Sequence, residues 1–410
     1  MKSGYNGAAS PQQNTATRMR VIDLFSGAGG MSLGFSQAGY DVIAAVDNWE
    51  QAVECYRVNF PDHSIYNMDL SDWKGIVKKF KEETFDIIIG GPPCQDFSEA
   101  GDQIEGERAA LTKSFAKIVA ALKPRYFVME NVPLAQKSNA YQAARRIFKK
   151  AKYGLTEVIL DASLCGVPQN RRRFFCIGGL GFKNGFLRKT LTAHQSDLPM
   201  TLRKFIGAEF DFDFYYCHPR TYGRRGVYSL DETAPTIRGC NRPMPKEYKK
   251  HKDDKADPRK TVIKSLSYKE RARIQMFPAD YKWSDQNSAN DKMVGNAVPV
   301  GLSRYVAECL LVYLLKGDDF LPMCFTEWLQ KRKHIRVAAA GDNLSRYRRV
   351  KRFLIGIEYD DKDILKILEK SKEFNRLSPS VRSQLKRACE LHNEYEAYLN
   401  NLQRKVVGHA

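Results

Sequence analysis

The pattern of apolar residues predicts alternating strands and helices in the first part of the chain. Short apolar runs rich in β-branched residues are typical of strands buried on both faces, and six stand out: "RVIDLFS", "YDVIAAVD", "FDIIIGG", "RYFVMENV", "LTEVILDA" and "RRFFCIGG". Helical spacing occurs between them in "GGMSLGFSQAG", "WEQAVECYRVNF", "TKSFAKIVAALK" and "YQAARRIFKKAKY". This alternation favours an α/β fold with a doubly wound, mostly parallel sheet and helices on both faces.

Changes in composition suggest where the domains begin and end. Beyond the last strand the sequence becomes aromatic, basic and irregular, and "SLSYKERARIQMF" then predicts a helix with a serine at its start. "GNAVPVGLSRYVAECLLVYLL" predicts a loop that leads into an apolar helix. We therefore expect a disordered polar leader at 1–18, the main α/β domain at 19–179, a smaller irregular domain at 180–266, a return to the main domain at 267–317, and a basic helical extension at 318–410.

The charge of the chain favours a polyanionic partner. Lys and Arg number 66 against 47 Asp and Glu, a formal charge of +19. A membrane surface is the competing partner, but no amphipathic basic helix with a bulky aromatic face supports it. No apolar run approaches the length of about 18 residues that spans a membrane, and the N-terminus lacks the apolar core of a signal peptide. Nine cysteines without paired spacing predict neither disulfides nor a zinc site, which fits a reducing cytoplasm.

A glycine-rich segment between the first strand and the first helix indicates a nucleotide-like ligand. In "DLFSGAGGMSLGF", Gly27 and Gly29 match the start of the dinucleotide-binding fingerprint, but Ser32 stands in place of its third glycine. Asp47 ends the next strand and is positioned to accept hydrogen bonds from ribose hydroxyls, while Asp69 is positioned to reach an adenine amino group. Each carboxylate alone is better explained by a cap or a solvated turn; together with the glycines they favour an adenosine-bearing cofactor.

Two strand ends place a thiol and a carboxyl group as candidates for catalysis. "FDIIIGGPPCQDFS" ends a strand abruptly and presents Cys94, and "YFVMENVP" ends another with Glu130. If the two strands are neighbours, both side chains project at the same edge of the sheet. A packed cysteine and a helix-capping glutamate are the structural alternatives.

Two arginines join the thiol and the carboxyl group as candidates for the active site. In "CGVPQNRRRFFCIGG", Arg171 and Arg173 share one face of a predicted strand, with Gln169 a further step of two before them. Paired cations beside a thiol favour its thiolate and hold an anionic or carbonyl-bearing substrate. A solvated strand edge is the alternative.

The order of these segments resembles the DNA (cytosine-5)-methyltransferase family of bacterial restriction-modification systems. The motifs "DLFSGAGG", "GGPPCQDFS", "ENV", "QNRRRFFCIG" and "GNAVP" follow one another over about residues 19 to 315. The resemblance implies a catalytic S-adenosylmethionine-binding domain of Rossmann-like fold, and a target-recognition domain at 180–266. It also implies a single chain that acts on double-stranded DNA beside a cognate restriction enzyme, in the bacterial cytoplasm.

Carried over residue by residue, the resemblance assigns roles at the site. It implies Cys94 as the nucleophile at C6 of a flipped cytosine, Glu130 as the acid at the ring, and Arg171 and Arg173 as the residues that hold the base and the catalytic loop. The implied cofactor-binding residues are Phe25, Gly27, Gly29, Asp47, Asp69, Pro92 and Asn296. Candidates for DNA contacts are Gln95, Ser98, Arg220, Arg224, Arg225, Thr236, Arg238 and Arg242.

Some alternatives stay open at this stage. Where some members of the family place a tryptophan that stacks on adenine, this chain has Asn48, and Trp49 follows one position later. A nicotinamide-dependent oxidoreductase is disfavoured by Ser32 and by the basic charge. An RNA-methylating enzyme and a catalytically silent DNA-binding relative are the remaining alternatives. In the extension, basic clusters at 331–336 and 346–352 predict either contacts to DNA phosphates or a surface for a partner.

Overall fold

A seven-stranded sheet organises the first part of the chain, in a computed structural model that describes residues 18–93, 107–219, 223–316, 325–354 and 363–407. Its strands are β1 (Arg20–Leu24), β2 (Asp41–Asp47), β3 (Ser64–Asn67), β4 (Ile87–Gly90), β5 (Tyr126–Asn131), β6 (Tyr153–Asp161) and β7 (Arg172–Leu180). They lie in the order β3-β2-β1-β4-β5-β7-β6, and β7 runs in the direction opposite to the other six strands. The α/β fold with a mostly parallel sheet, predicted from the sequence, is confirmed.

Helices cover both faces of this sheet because successive strand residues face opposite sides. On one face Ile87 and Ile89 pack in the same core as Leu302, whereas Ile88 packs on the other face with Phe115. The helices up to the end of this part are α1 (Gly30–Gln37), α2 (Glu50–Asn59), α3 (Trp73–Phe80), α4 (Glu107–Leu122), α5 (Asn139–Lys150), α6 (Arg188–Ala193), α7 (Leu202–Ile206), α8 (Tyr268–Ile274), α9 (Asn287–Asn296) and α10 (Val300–Lys316).

The apolar helix α10 returns to the main sheet. It packs on α1, where a Cβ on Gly34 would lie 2.6 Å from the backbone nitrogen of Arg304. The stretch Asn287–Leu315 is long and apolar enough to cross a membrane by length and composition, yet most of its apolar window is buried inside the protein. Burial against the sheet therefore accounts for its hydrophobicity.

A small sheet lies in the segment that follows β7. It consists of β8 (Phe214–Tyr216), β9 (Val227–Ser229) and β10 (Lys264–Ser265), in the order β10-β8-β9. Its core is continuous with the main part of the molecule, since Tyr215 and Ile237 belong to the same apolar cluster as Tyr56 and Val294. The boundaries of a separate domain at 180–266 stay a prediction.

The rest of the described chain is helical, as expected. It comprises α11 (Phe325–Arg332), α12 (Val337–Phe353), α13 (Ile364–Lys370), α14 (Lys372–Asn375) and α15 (Pro379–Val407). The extension has apolar clusters of its own, one around Val350 and Leu385 and one around Trp328 and Tyr395. It meets the main part of the molecule at Asp197, whose carboxylate lies 3.2 Å from His392 Nε2.

Candidate active site

The candidate residues gather at the carboxyl edge of the main sheet. Strand β1 lies between β2 and β4, so the strand order reverses there, and ligands of doubly wound sheets bind outside the carboxyl ends at such a point. The glycine loop follows β1, and the Gly91–Pro92 turn follows β4. Because β7 is antiparallel, its first residues reach the same edge.

The glycine loop adopts a conformation that leaves its backbone open. Phe25, Gly27 and Gly29 have φ values of 61°, 53° and 81°, in the left-handed region that favours glycine. A Cβ on Gly27 would meet nothing within 4 Å, whereas one on Gly29 would lie 2.4 Å from the ring of Phe60. Gly29 is therefore required by packing, and Gly27 leaves space beside the loop for a ligand.

A carboxylate at the end of β2 supports this loop, and a second carboxylate follows β3. Asp47 accepts hydrogen bonds from the backbone N–H of Gly27 (2.8 Å) and of Trp49 (2.9 Å). Burial raises the pKa of Asp47, and these hydrogen bonds partly offset that rise. Asp69 is exposed and accepts from the backbone and the hydroxyl of Ser71, which lowers the pKa of Asp69. A carboxylate retains acceptor capacity beyond one such bond per oxygen, so these residues fit an adenosine-bearing ligand.

The late "GNAVP" segment packs against the glycine loop. A Cβ on Gly30 would lie 2.4 Å from the carbonyl oxygen of Val298, and Ser303 Oγ donates to the carbonyl of Met31 (3.0 Å). Asn296 is exposed at the end of α9 in this segment. The fold thus brings together motifs that lie more than 250 residues apart in the sequence.

Glu130 is buried at the end of β5 and faces the turn after β4. Its Oε1 lies 2.9 Å from Arg173 Nε, and a Cβ on Gly91 would lie 3.2 Å from its Oε2. Burial raises the pKa of Glu130, and the charges of Arg173 and Arg171 oppose that rise. Strands β4 and β5 are neighbours. The predicted proximity of the Cys94 thiol and the Glu130 carboxyl group requires this arrangement.

The residue after Glu130 fixes the turn that leads to the candidate nucleophile. Asn131 donates from Nδ2 to the carbonyl of the buried Pro92 (3.1 Å), and its Oδ1 accepts from the N–H of Val132 (2.8 Å). Sequence reasoning assigned no role to Asn131, although it belongs to the "ENV" motif. Cys94, Gln95 and Ser98 follow this turn and lie outside the described residues, as does Arg220.

Arg171 is fully buried and links two distant segments of backbone. It donates to the carbonyls of Ile237 (2.7 Å), Gly295 (3.0 Å) and Ala297 (3.1 Å). The desolvated guanidinium has a lowered pKa, and the nearby charge of Arg173 lowers it further. Its contacts explain how Arg171 holds the segment around residue 237 against the end of α9, whereas Arg173 contacts Glu130.

Two buried glutamines, Gln169 and Gln275, complete this junction. The sequence alone predicts no contacts for them in this region. Gln169 donates to Gln275 Oε1 (2.9 Å) and accepts from the N–H of Ile237 (3.0 Å), and Gln275 donates in turn to the carbonyl of Val294. Gln169 is in line with the arginines on the predicted strand, but Gln275 carries no signal in the sequence beyond its position near the end of a predicted helix.

The candidate DNA-contacting residues differ in how they are engaged. Arg225 forms a bidentate ion pair with Glu232 (2.9 and 3.0 Å), Thr236 donates to the carbonyl of Asn170 (2.6 Å), and Arg238 donates to the carbonyl of His218. Arg224 and Arg242 are exposed. Of this group the two exposed arginines are the more accessible to a nucleic acid, while the first three also hold the fold together.

Comparison with known proteins identifies the family. The family model for C-5 cytosine-specific DNA methylases matches residues 19–211 and 204–311, and the chain belongs to this family. It is therefore a DNA (cytosine-5)-methyltransferase, and the resemblance drawn from its motifs is confirmed.

Individual relatives support the same conclusion. The chain is 48% identical to the type II methyltransferase M.HindV of Haemophilus influenzae over 294 residues, which cover 72% of this chain and 96% of that one. It is 46% identical to the type II methyltransferase M.HgiDI of Herpetosiphon aurantiacus, over 72% of this chain and 95% of the relative. Among solved structures, the S. pombe Dnmt2 methyltransferase has a TM-score of 0.58 at 20% identity, over 73% of this chain and 100% of that one, which shows the shared fold.

Proposed function

We propose that the protein methylates C5 of a cytosine that is flipped out of a specific short sequence in duplex DNA, with S-adenosylmethionine as the methyl donor. The observation that supports this most directly is Glu130, a buried carboxyl group held by Arg173 against the turn that leads to Cys94. A base must leave the helical stack to reach such a pocket. The type II relatives support a role in protecting host DNA from a cognate restriction enzyme.

The proposed chemistry divides between the thiol and the carboxyl group. Cytosine C5 is a poor nucleophile, so the Cys94 thiolate first adds to C6 and makes C5 electron-rich. Negative charge then develops toward N3, where a protonated Glu130 donates its proton. The raised pKa of Glu130 favours this protonated form. Loss of the C5 proton after methylation allows the C6–sulfur bond to break, which restores the ring and frees Cys94.

The cofactor would lie against the glycine loop. S-adenosylmethionine, when bound, supplies a methyl group that its positively charged sulfur makes electrophilic. The open space beside Gly27 and the carboxylates of Asp47 and Asp69 fit its adenosine part, and Phe25, Gly29, Pro92 and Asn296 belong to the same edge of the sheet.

The Cys94→Ser substitution tests the proposal. We expect methylation of a plasmid, mapped at single bases by deamination sequencing, to fall below detection, while DNA binding is retained because little contact area is lost. The wild-type protein should form a denaturant-resistant adduct with DNA that carries 5-fluorocytosine at the target, since fluorine cannot leave as a proton does. Turnover by Cys94→Ser, or no adduct with wild type, would refute attack by Cys94 at C6.

A further inference from the structure

The helical extension lies outside what the family accounts for. The family model ends at residue 311, and the two relatives described above are matched over 95% or more of their own length but only 72% of this chain. The extension therefore requires its own explanation. Its helix α12 carries five Lys and Arg residues and a single acidic residue.

The extension is attached at the same edge of the sheet as the candidate active site. Asp197 lies 3.2 Å from His392 and 3.9 Å from Arg348, both in the extension. The Asp197 loop is held by backbone hydrogen bonds from Ser196 to Leu164 (2.7 Å) and from Met200 to Ser163 (2.9 Å). Residues 162–164 follow β6, which is parallel to β5 because both are antiparallel to β7. The carboxyl end of β6 therefore lies at the edge that holds Glu130.

A groove between α12 and α15, the two helices that carry Arg348 and His392, contains two arginines. It has a volume of about 190 Å³, and none of the described residues that line it is acidic. Arg346 is half-buried, whereas Arg349 is exposed and lies over the ring of Phe353 at 5.7 Å. The described lining residues are Ser345, Arg346, Arg349, Val381, Gln384 and Leu385.

We propose that this groove binds a backbone phosphate of the substrate DNA next to the target site, an inference that rests on the proposed function. Guanidinium groups form charge-assisted, often bidentate hydrogen bonds with phosphate oxygens. Ser345 and Gln384 also line the groove, and their hydroxyl and amide groups are further donors. A phosphate contact adds affinity and fixes orientation but carries no sequence information.

The double variant Arg346→Gln/Arg349→Gln tests this assignment. Each phosphate contact contributes about −0.9 to the slope of log affinity against log salt on duplex DNA. We expect the slope, measured by equilibrium binding to a duplex that contains the target over a salt series, to become shallower by about 0.9. The methylated sequence, mapped on a plasmid, should stay the same.

A matched control removes two positive charges elsewhere. Arg146 and Lys150 are exposed near the end of α5, which leads into the start of β6 and hence lies at the opposite edge of the sheet. Arg146→Gln/Lys150→Gln should leave the slope at the wild-type value. An equal change in both double variants would overturn the groove assignment in favour of a general charge effect.

The outcomes separate this inference from the proposed function. If the salt series for Arg346→Gln/Arg349→Gln superimposes on that of wild type, the groove does not bind DNA, even though the same protein still methylates the plasmid. Selective loss of binding to RNA or to a protein, with the DNA slope unchanged, would likewise overturn the assignment. If instead wild type fails to methylate the plasmid at all, the proposed function fails independently of the groove.

Discussion

At the scale of single residues, the charge of Arg173 opposes protonation of Glu130. This charge stabilises the carboxylate and thereby opposes the rise in the pKa of Glu130 that burial causes. Removing the cation by Arg173→Gln should raise this pKa further. Because the proposed donor is the protonated carboxyl group, the high-pH limb at which methylation declines should move to higher pH, measured as single-turnover rate against pH.

Arg172 provides the control for this prediction. It is the adjacent residue, is exposed, and points to the other side of the strand. Arg172→Gln should leave unchanged the pH at which the methylation rate declines. Identical pH profiles for Arg173→Gln and wild type would contradict the assigned role of Glu130 as the proton donor.

Glu130 should also affect turnover more than cofactor binding. An amide at this position donates a hydrogen bond to N3 but cannot deliver a proton. We expect Glu130→Gln to slow methylation by at least about 100-fold, the usual lower value for a general acid, while S-adenosylmethionine affinity measured by calorimetry changes little. An equal loss of cofactor affinity would place Glu130 in the cofactor site instead.

Asp23 is a second buried carboxyl group, and it affects stability. It lies below the glycine loop and accepts a hydrogen bond from Ser32 (2.7 Å), whose hydroxyl accepts one from Tyr56 (2.8 Å). Burial raises the pKa of Asp23 to about 7. The folded state therefore binds a proton that the unfolded chain releases near pH 4, so this contribution to stability is full below about pH 4 and is lost as the pH rises through about 7.

The substitution Asp23→Asn should remove this pH dependence. Relative to wild type, the variant should gain stability between about pH 4 and pH 7, by up to about 4 kcal/mol. Thermal unfolding midpoints measured over this range provide the test, with Asp62→Asn as an exposed control. If the unfolding midpoints of wild type and Asp23→Asn change with pH in parallel, Asp23 is ionised throughout this pH range.

At the scale of elements, the junction between α9 and residues 236–239 tolerates no side chain at Gly295. A Cβ there would lie 1.9 Å from the backbone nitrogen of Gly239 and 2.1 Å from the carbonyl carbon of Arg238. Backbone atoms cannot move aside as a flexible side chain can. We expect Gly295→Ala to destabilise the protein by about 1–3 kcal/mol and to reduce methylation, measured by thermal unfolding and by plasmid methylation.

The same substitution elsewhere should have the opposite effect. Gly341 lies in α12, and a Cβ there would meet nothing within 4 Å. Gly341→Ala should therefore stabilise its helix by about 0.4–1 kcal/mol. A loss of stability of similar size in both variants would show that the contact between Gly295 and Gly239 is not the cause.

The elements themselves were predictable to different degrees. Continuous apolar runs identified β1 and β4 because strands buried on both faces leave no polar alternation. The helix α3 was missed, although Asp72 caps it by accepting from the N–H of Gly75 (3.1 Å). The antiparallel direction of β7 was also missed, because strand direction depends on pairing and not on composition.

At the scale of the whole molecule, motif order revealed the family, but the contacts between distant motifs required the fold. The sequence placed Glu130 and Cys94 at strand ends and named Arg171, yet nothing local indicates that Arg171 bonds to the carbonyl of Ile237, 66 residues later. Such bonds depend on which segments the sheet topology brings together. Cys94 itself lies outside the described residues, so its role stays a prediction.

The last prediction concerns how the extension is joined to the main part of the molecule. His392 is buried, stacks on Tyr347 with ring centroids 3.7 Å apart, and reaches Asp197. A buried polar contact between distant segments couples their stabilities. In a double-mutant cycle of Asp197→Asn and His392→Gln, we expect a coupling energy of about 0.5–3 kcal/mol, measured by urea unfolding.

The cycle distinguishes a specific attachment from independent folding of the two parts. If the contact holds the extension in place, either single variant should also speed proteolysis within residues 325–407, because local opening exposes these helices. Asp231→Asn, which alters an exposed carboxylate paired with Arg203 in the main part of the molecule, is the control and should leave that rate unchanged. Additive effects of the two substitutions, together with wild-type proteolysis rates, would show that the extension folds without this contact and that its groove is not held at the edge of the active site.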